Sequence, residues 1–138
     1  MAFYIYAVDG GAIPSWEYHP CSAITPEVGM AMTQTSGNLA TASGSTVPTY
    51  ICMTQRGAAV TAGDIIPVIR VSESIIFETT FSASASSVTV GSRVTIASGG
   101  MQVTGTTASG VAEVVAMEGT AAGSRVWVRF PAAKTASA

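Results

Sequence analysis

His19 is the single imidazole in this sequence, so any Ser/His/Asp relay would have to run through it. Such a relay needs its imidazole held rigidly beside a nucleophile. The sequence has no GxSxG elbow, and His19 precedes Pro20 in a stretch broken by Gly10, Gly11, Pro14, Pro20 and Pro26. His19 therefore reads as an ordinary residue of a connecting strap. Cys21 and Cys52 have no CxxC spacing and, with one histidine, do not make up a four-ligand zinc site. They read as two small buried apolar side chains; a disulfide between them is possible but not deducible, so their redox state stays open. The carboxylates Asp9, Glu17, Glu27, Asp64, Glu73, Glu78, Glu113 and Glu118 form no recognisable pair for glycoside chemistry. Gly99-Gly100 and the other glycines give no phosphate-binding fingerprint, and Lys134 lies in the C-terminal tail rather than at the hairpin tip a carrier protein requires. The expectation is a non-enzymatic chain with no catalytic residue, no cofactor and no metal.

The residues that stand out are suited to adhesion instead. Phe3, Tyr4, Tyr6, Trp16 and Tyr18 are half of all the aromatics, within the first eighteen positions. The rest (Tyr50, Phe77, Phe81, Trp127 and Phe130) are spread thinly. Each such ring buries roughly 150–250 Å² when covered. A leader this rich in rings is expected to grip the chain's own core, a sister subunit or a foreign surface.

Composition narrows the partners. Charged residues are 10% of the chain, against about 25% in soluble proteins generally. The net charge is −2, and lysine occurs once. That leaves no basic footprint for a phosphate backbone, so no nucleic acid is expected. Ala, Gly, Ser and Thr make up half of the sequence. Low charge suits a surface covered by neighbours, and equally a β protein whose exposed faces use hydroxyls. The most apolar stretch, 65–77, is short and interrupted by Pro67, Arg70 and Glu73, so no membrane span is expected. The start, MAFYIYAVDGG, lacks the basic region of a signal peptide, which predicts a product that stays in the cytoplasm where it is made unless it leaves inside a larger assembly.

The elements that must position these groups are strands. Short runs rich in Val, Ile, Thr and aromatics recur at 3–8, 28–33, 48–54, 65–71, 75–80, 87–90, 93–97, 101–104, 112–117 and 125–130, with turn residues between them. This spacing predicts an all-β fold, a single compact β-sandwich or barrel-like domain. Residues 56–63 are read as one short helical turn at most, and 34–48 as a long loop or loose hairpin. A motif recurs in AGDIIPV (62–68), VGSRVTI (90–96) and AGSRVWV (122–128): a glycine turn, Asp or Ser, then a strand. Alternation puts Val94/Ile96 and Val126/Val128 on one face and Arg93 and Arg125 on the other. Pro67 removes a ladder donor from its strand, which predicts an edge or a bulge and makes Pro67 and Arg70 a candidate edge or oligomer contact. Glu73 and Glu78 are available to pair with Arg93, Arg125 or Arg129. The organisation read from this is an extended aromatic arm over 1–22, a β domain over 23–131 and a flexible tail over 132–138.

The runs AITPEVGMAMTQTSGNLATASGSTVPTYICM (23–53), AGDIIPVIRVSESIIFETTF (62–81) and VVAMEGTAAGSRVWVRF (114–130) resemble the head decoration, or capsid-stabilising, proteins of tailed bacteriophages. The resemblance covers most of residues 17–130 and rests on a pattern of Gly, Pro and β runs; the leader before Trp16 is not part of it. It implies a compact β-tulip-like domain on the outer capsid surface of the virion. It also implies self-association as a homotrimer, the major capsid protein as partner, and head stabilisation by cross-clamped capsomers. An N-terminal arm would lay Phe3, Tyr4, Ile5, Tyr6, Trp16 and Tyr18 into capsid grooves. The alternatives are a low-copy tail, fibre or baseplate subunit, and a carbohydrate- or host-surface-binding module. The last of these needs exposed rings on one rigid face.

Overall fold

The structure, a computed structural model, describes residues 2–131; the tail expected over 132–138 lies outside them. Among the described residues, ten strands form two five-stranded antiparallel sheets, and the one helical feature is a 3₁₀ turn at Asp9–Gly11. The strands are β1 Tyr4–Val8, β2 Glu17–Pro20, β3 Ala31–Thr35, β4 Asn38–Thr41, β5 Tyr50–Cys52, β6 Ile65–Arg70, β7 Ile75–Thr80, β8 Arg93–Val94, β9 Ala112–Met117 and β10 Arg125–Arg129. Sheet I has the order β1-β7-β10-β9-β8, and sheet II the order β2-β6-β5-β3-β4. The expected all-β sandwich is the observed architecture.

The three glycine motifs form equivalent turns. Gly63, Gly91 and Gly123 have φ of 96, 95 and 88°, a region that resists side chains. The residue after each glycine donates its N–H three positions back: Asp64 to Thr61 O, Ser92 to Thr89 O and Ser124 to Ala121 O. In two of them the polar side chain also returns to the turn, Asp64 Oδ2 accepting from Thr61 N at 3.1 Å and Ser92 Oγ from Thr89 N at 3.2 Å. These turns feed β6, β8 and β10.

Of the two readings of 34–48, loop or hairpin, the hairpin is present: β3 turns into β4 on Ser36 and Gly37, both at positive φ. Other expectations change. Residues 56–63 form no helix, 87–90 lie between two turns rather than in a strand, and 101–104 contribute only isolated bridges at Val103. Pro67 lies on an interior strand, because β2 covers β6 on one side and β5 on the other. Pro67 O accepts from Met53 N at 3.0 Å, so its missing donor also points toward β5. Since β5 ends at Cys52, the gap falls just beyond that ladder and costs it no bond within the strand.

The two sheets enclose one apolar layer that includes Ile51, Ile69, Ile75, Phe77, Phe81, Val126, Val128 and Phe130. Sheet II has a second buried face: Met32, Leu39, Tyr50, Cys52, Ile66 and Val68 pack under Cys21, Ile24, Met30, Val60 and Met101 from the connecting segments. Among the described residues, sheet I has no such cover. Its strand β7 shows strict alternation of buried and half-buried residues, the pattern of an antiparallel sheet with one wet face.

One side of the sandwich is sealed. Beyond β4 and β8, Gly44 and Ile96 exchange backbone hydrogen bonds of 2.8 and 3.0 Å, linking the two sheets. On the open side the free edges are β1 and β2, both from the first twenty residues.

The leader is therefore not an extended arm here. Tyr4–Val8 pairs with β7, and Glu17–Pro20 pairs with β6. Phe3, expected as a capsid contact, is 1% exposed and packs edge-on against Phe77 and Phe130, with ring centroids at 6.4 and 5.4 Å. Its N–H donates to Gly29 O at 2.9 Å; a Cβ at Gly29 would stand 2.4 Å from the Ala2 Cβ, so that glycine lets the leader lie flat. Ile5 also packs against the core. The alternation Phe3/Ile5 inward and Tyr4/Tyr6 outward is that of a strand, which is why the leader joins the sheet.

Candidate binding surface

The rings left exposed by this arrangement are Tyr4, Tyr6, Trp16 and Tyr18, each more than half exposed. All lie on or beside the two free edges. They divide into two groups with different surroundings.

The first group belongs to the uncovered face of sheet I. In register, Tyr4 opposes Glu78, Glu78 opposes Trp127, and Trp127 opposes Ala116, so these residues run as one row across β1, β7, β10 and β9. Trp127 Nε1 donates to Glu78 Oε1 at 3.0 Å, and the Arg125 guanidinium lies 5.9 Å from the indole centroid. The Tyr6 ring meets Trp127 edge-on at 5.7 Å.

Two irregularities widen this apolar area. The β1–β7 register shifts between Ile5 and Ala7, and the β10–β9 register shifts between Trp127 and Val128. At each bulge an extra residue, Tyr6 or Val115, joins its neighbour on the outer face, and the strand bends. Tyr6, Ile76, Val115, Ala116 and Trp127 consequently line a shallow hollow of about 440 Å³. The charges around it are compensated locally: Arg129 Nε donates to Glu113 Oε1 at 2.7 Å, Arg125 pairs with Glu118, and Arg93 opposes Glu113 in register. Arg125 and Arg129 pair directly with Glu118 and Glu113, while the expected partners Glu78 and Glu73 act on them electrostatically and Glu78 also accepts from the indole.

The second group is the edge of sheet II. Arg70, expected at an oligomer contact, forks onto Glu17 and stays more than half exposed: Nε to Oε2 at 3.0 Å and a terminal nitrogen to Oε1 at 3.1 Å. It also donates to Tyr50 Oη at 2.9 Å. His19 Nε2 is 3.0 Å from Glu17 Oε1, and its ring lies 4.8 Å from that of Tyr50. Arg70, and then His19, hold the Glu17 carboxyl below the usual carboxylate range. This cluster joins residues 53 apart in sequence and fastens β2 to β6 and β5. Trp16 and Tyr18 project beyond it, next to the uncharged link 10–16, where Ile13 is 67% exposed.

Cys21 and Cys52 are both buried free thiols in the second core layer of sheet II. Cys52 Sγ donates to Thr54 O at 3.3 Å, and burial pushes both thiols up from their ordinary range.

Sequence reasoning identified the exposed leader rings but not the hollow. The outward direction of Trp127 was available from its position between Arg125 and Arg129 in RVWVRF. The bulges that bring Tyr6 and Val115 beside it carry no Gly or Pro signal. No protein-family model, no curated protein and no solved structure matches the chain.

Proposed function

We propose that this is a structural virion protein that coats the outer surface of a tailed-bacteriophage capsid and stabilises the head by clamping neighbouring capsomers. Its partners are the major capsid protein and further copies of itself, as a homotrimer. The observation that carries this reading is the disposition of the exposed rings. Tyr4, Tyr6, Trp16 and Tyr18 stand on a rigid frame along the two free sheet edges, opposite the sealed side of the sandwich.

The contact differs in kind from a threading arm. Tyr4, Tyr6 and Tyr18, already fixed on strands, lose little conformational freedom on docking, so more of their burial contributes to affinity. Edge β1 has no charge and no proline, whereas β2 carries Glu17 and Pro20, so β1 is the edge open to strand addition by a capsid segment. The low overall charge keeps desolvation inexpensive over a wide contact. Repetition of the contact across the lattice makes weak single contacts persistent.

The test is binding to emptied, expanded capsids. Tyr4→Ser and Tyr18→Ser chains should fold normally yet bind more weakly than wild type; undiminished binding by the double variant would refute the role given to the rings. A second reading has its own observation: Tyr4, Tyr6 and Trp127 share one rigid face, as a carbohydrate-binding module requires. Titrating neutral oligosaccharides while following tryptophan emission separates the two. A saturable response there, with no capsid binding, would favour the module.

A further inference from the structure

The hollow on sheet I and the link 10–16 are different surfaces of one chain, and their properties match. The hollow is lined by Tyr6, Ile76, Val115, Ala116 and Trp127. The link, Gly-Gly-Ala-Ile-Pro-Ser-Trp, carries no charge and presents Ile13 and Trp16, 67% and 51% exposed. Pro14 between them fixes its own φ. Among the described residues the charges around the hollow are of both signs, with Arg129–Glu113 and Arg125–Glu118 paired and the Glu78 carboxylate on the Trp127 indole, so no field of one sign selects a charged ligand. The lining is mainly apolar, and its indole N–H is already bonded to Glu78, so it suits an apolar protein side chain.

The link cannot serve its own hollow. It leaves β1 at Val8 and enters β2 at Glu17, crossing from the edge of sheet I to the edge of sheet II on the open side. The hollow faces outward from sheet I. The matching occupant is the link of another molecule.

We infer that copies of this protein join head to tail, the Ile13–Trp16 link of one seated in the Tyr6/Trp127 hollow of the next. The inference deepens the self-association part of the proposed function and rests on that reading for its biological setting. It assigns Trp16 and Tyr6 to contacts between copies and leaves Tyr4 and Tyr18 for the shell. A contact between two unlike patches is heterologous: it closes into a ring where the rotation permits, and does not form a face-to-face two-fold pair.

The experiment uses the purified full chain without capsids, followed by sedimentation over a wide concentration range. Ile13→Asp removes the knob and Ala116→Glu fills the hollow; both positions are exposed. Wild type should assemble, and each variant alone should weaken assembly by about 100-fold, as an unpaired charge forced into an apolar contact does. Mixed in equal amounts, they should form a one-to-one dimer, since the Ile13→Asp chain keeps an intact hollow and the Ala116→Glu chain an intact link. Thermal unfolding checks that each variant is folded, and Tyr6→Ser replaces Ala116→Glu should that chain not fold. A monomeric wild type, unchanged assembly of Ile13→Asp, or a mixture that stays monomeric would each overturn the inference. Because no shell is present, those outcomes leave the capsid reading standing; absence from virions would leave a positive mixing result standing.

Discussion

Trp127 donates its indole N–H to Glu78 Oε1 at 3.0 Å across the β7–β10 pair in which the two residues stand directly opposite. The bond turns a large apolar side chain into a fixed feature of an otherwise wet sheet face. Glu78→Ala should lower stability by about 1 kcal/mol, the usual net worth of such a bond, and should change tryptophan emission as the ring is released. Glu78→Gln, which can still accept through its amide oxygen, should lie between. Unchanged emission and an unchanged unfolding midpoint in Glu78→Ala would show that packing alone holds the ring.

The leader contributes to folding through one residue above all. Phe3 fills the core between Phe77 and Phe130, so Phe3→Ala should cost about 3–5 kcal/mol. Tyr6→Ala, at an exposed position, should cost less than about 1 kcal/mol. Removing residues 2–20 takes away Phe3 and both free-edge strands, and the remainder should lack cooperative unfolding. A well-folded truncated chain would restore the arm reading.

How far the sequence reveals this fold depends on the signal each element carries. Strands β7, β9 and β10 were legible because one of their faces is wet and their residues alternate. The three glycine turns were legible because each needs a positive φ. Strand β2 was not: Glu-Tyr-His-Pro has no apolar alternation, and it is held by the Glu17–Arg70 fork, whose partners lie 53 residues apart. Pro67 misled because the missing donor mattered less than where β5 ends. The leader rings stand out by composition, but composition could not separate the buried Phe3 from the exposed Tyr4. The hollow depends on two register shifts, and local sequence has no marker for them.

The Glu17 latch sets a pH dependence. Arg70 first, and His19 second, depress the Glu17 carboxyl in the folded chain, whereas the unfolded value is about 4.3. A depressed carboxyl contributes stability that is fully present above the unfolded value and is lost as pH falls through the folded one. In urea unfolding, the gap between wild type and Glu17→Gln should therefore be constant above about pH 5 and should narrow below about pH 4. A gap that stays constant down to pH 3 would mean that the fork does not contribute.

The thiols should be inert in the folded chain. Cys21 and Cys52 are buried, and burial pushes both thiols up, which starves them of reactive thiolate. A thiol reagent should modify neither at neutral pH until denaturant is added, and then both. Rapid native labelling of either would show that the segment covering the outer layer of sheet II opens readily.

The central claim is that this protein is part of the virion lattice. Quantitative mass spectrometry of purified particles, read as copies per major capsid subunit, tests it most directly. A lattice-wide coat gives a ratio near one or a simple fraction of it. A handful of copies per particle would move the protein to the tail or a single vertex, and complete absence from particles would contradict the claim.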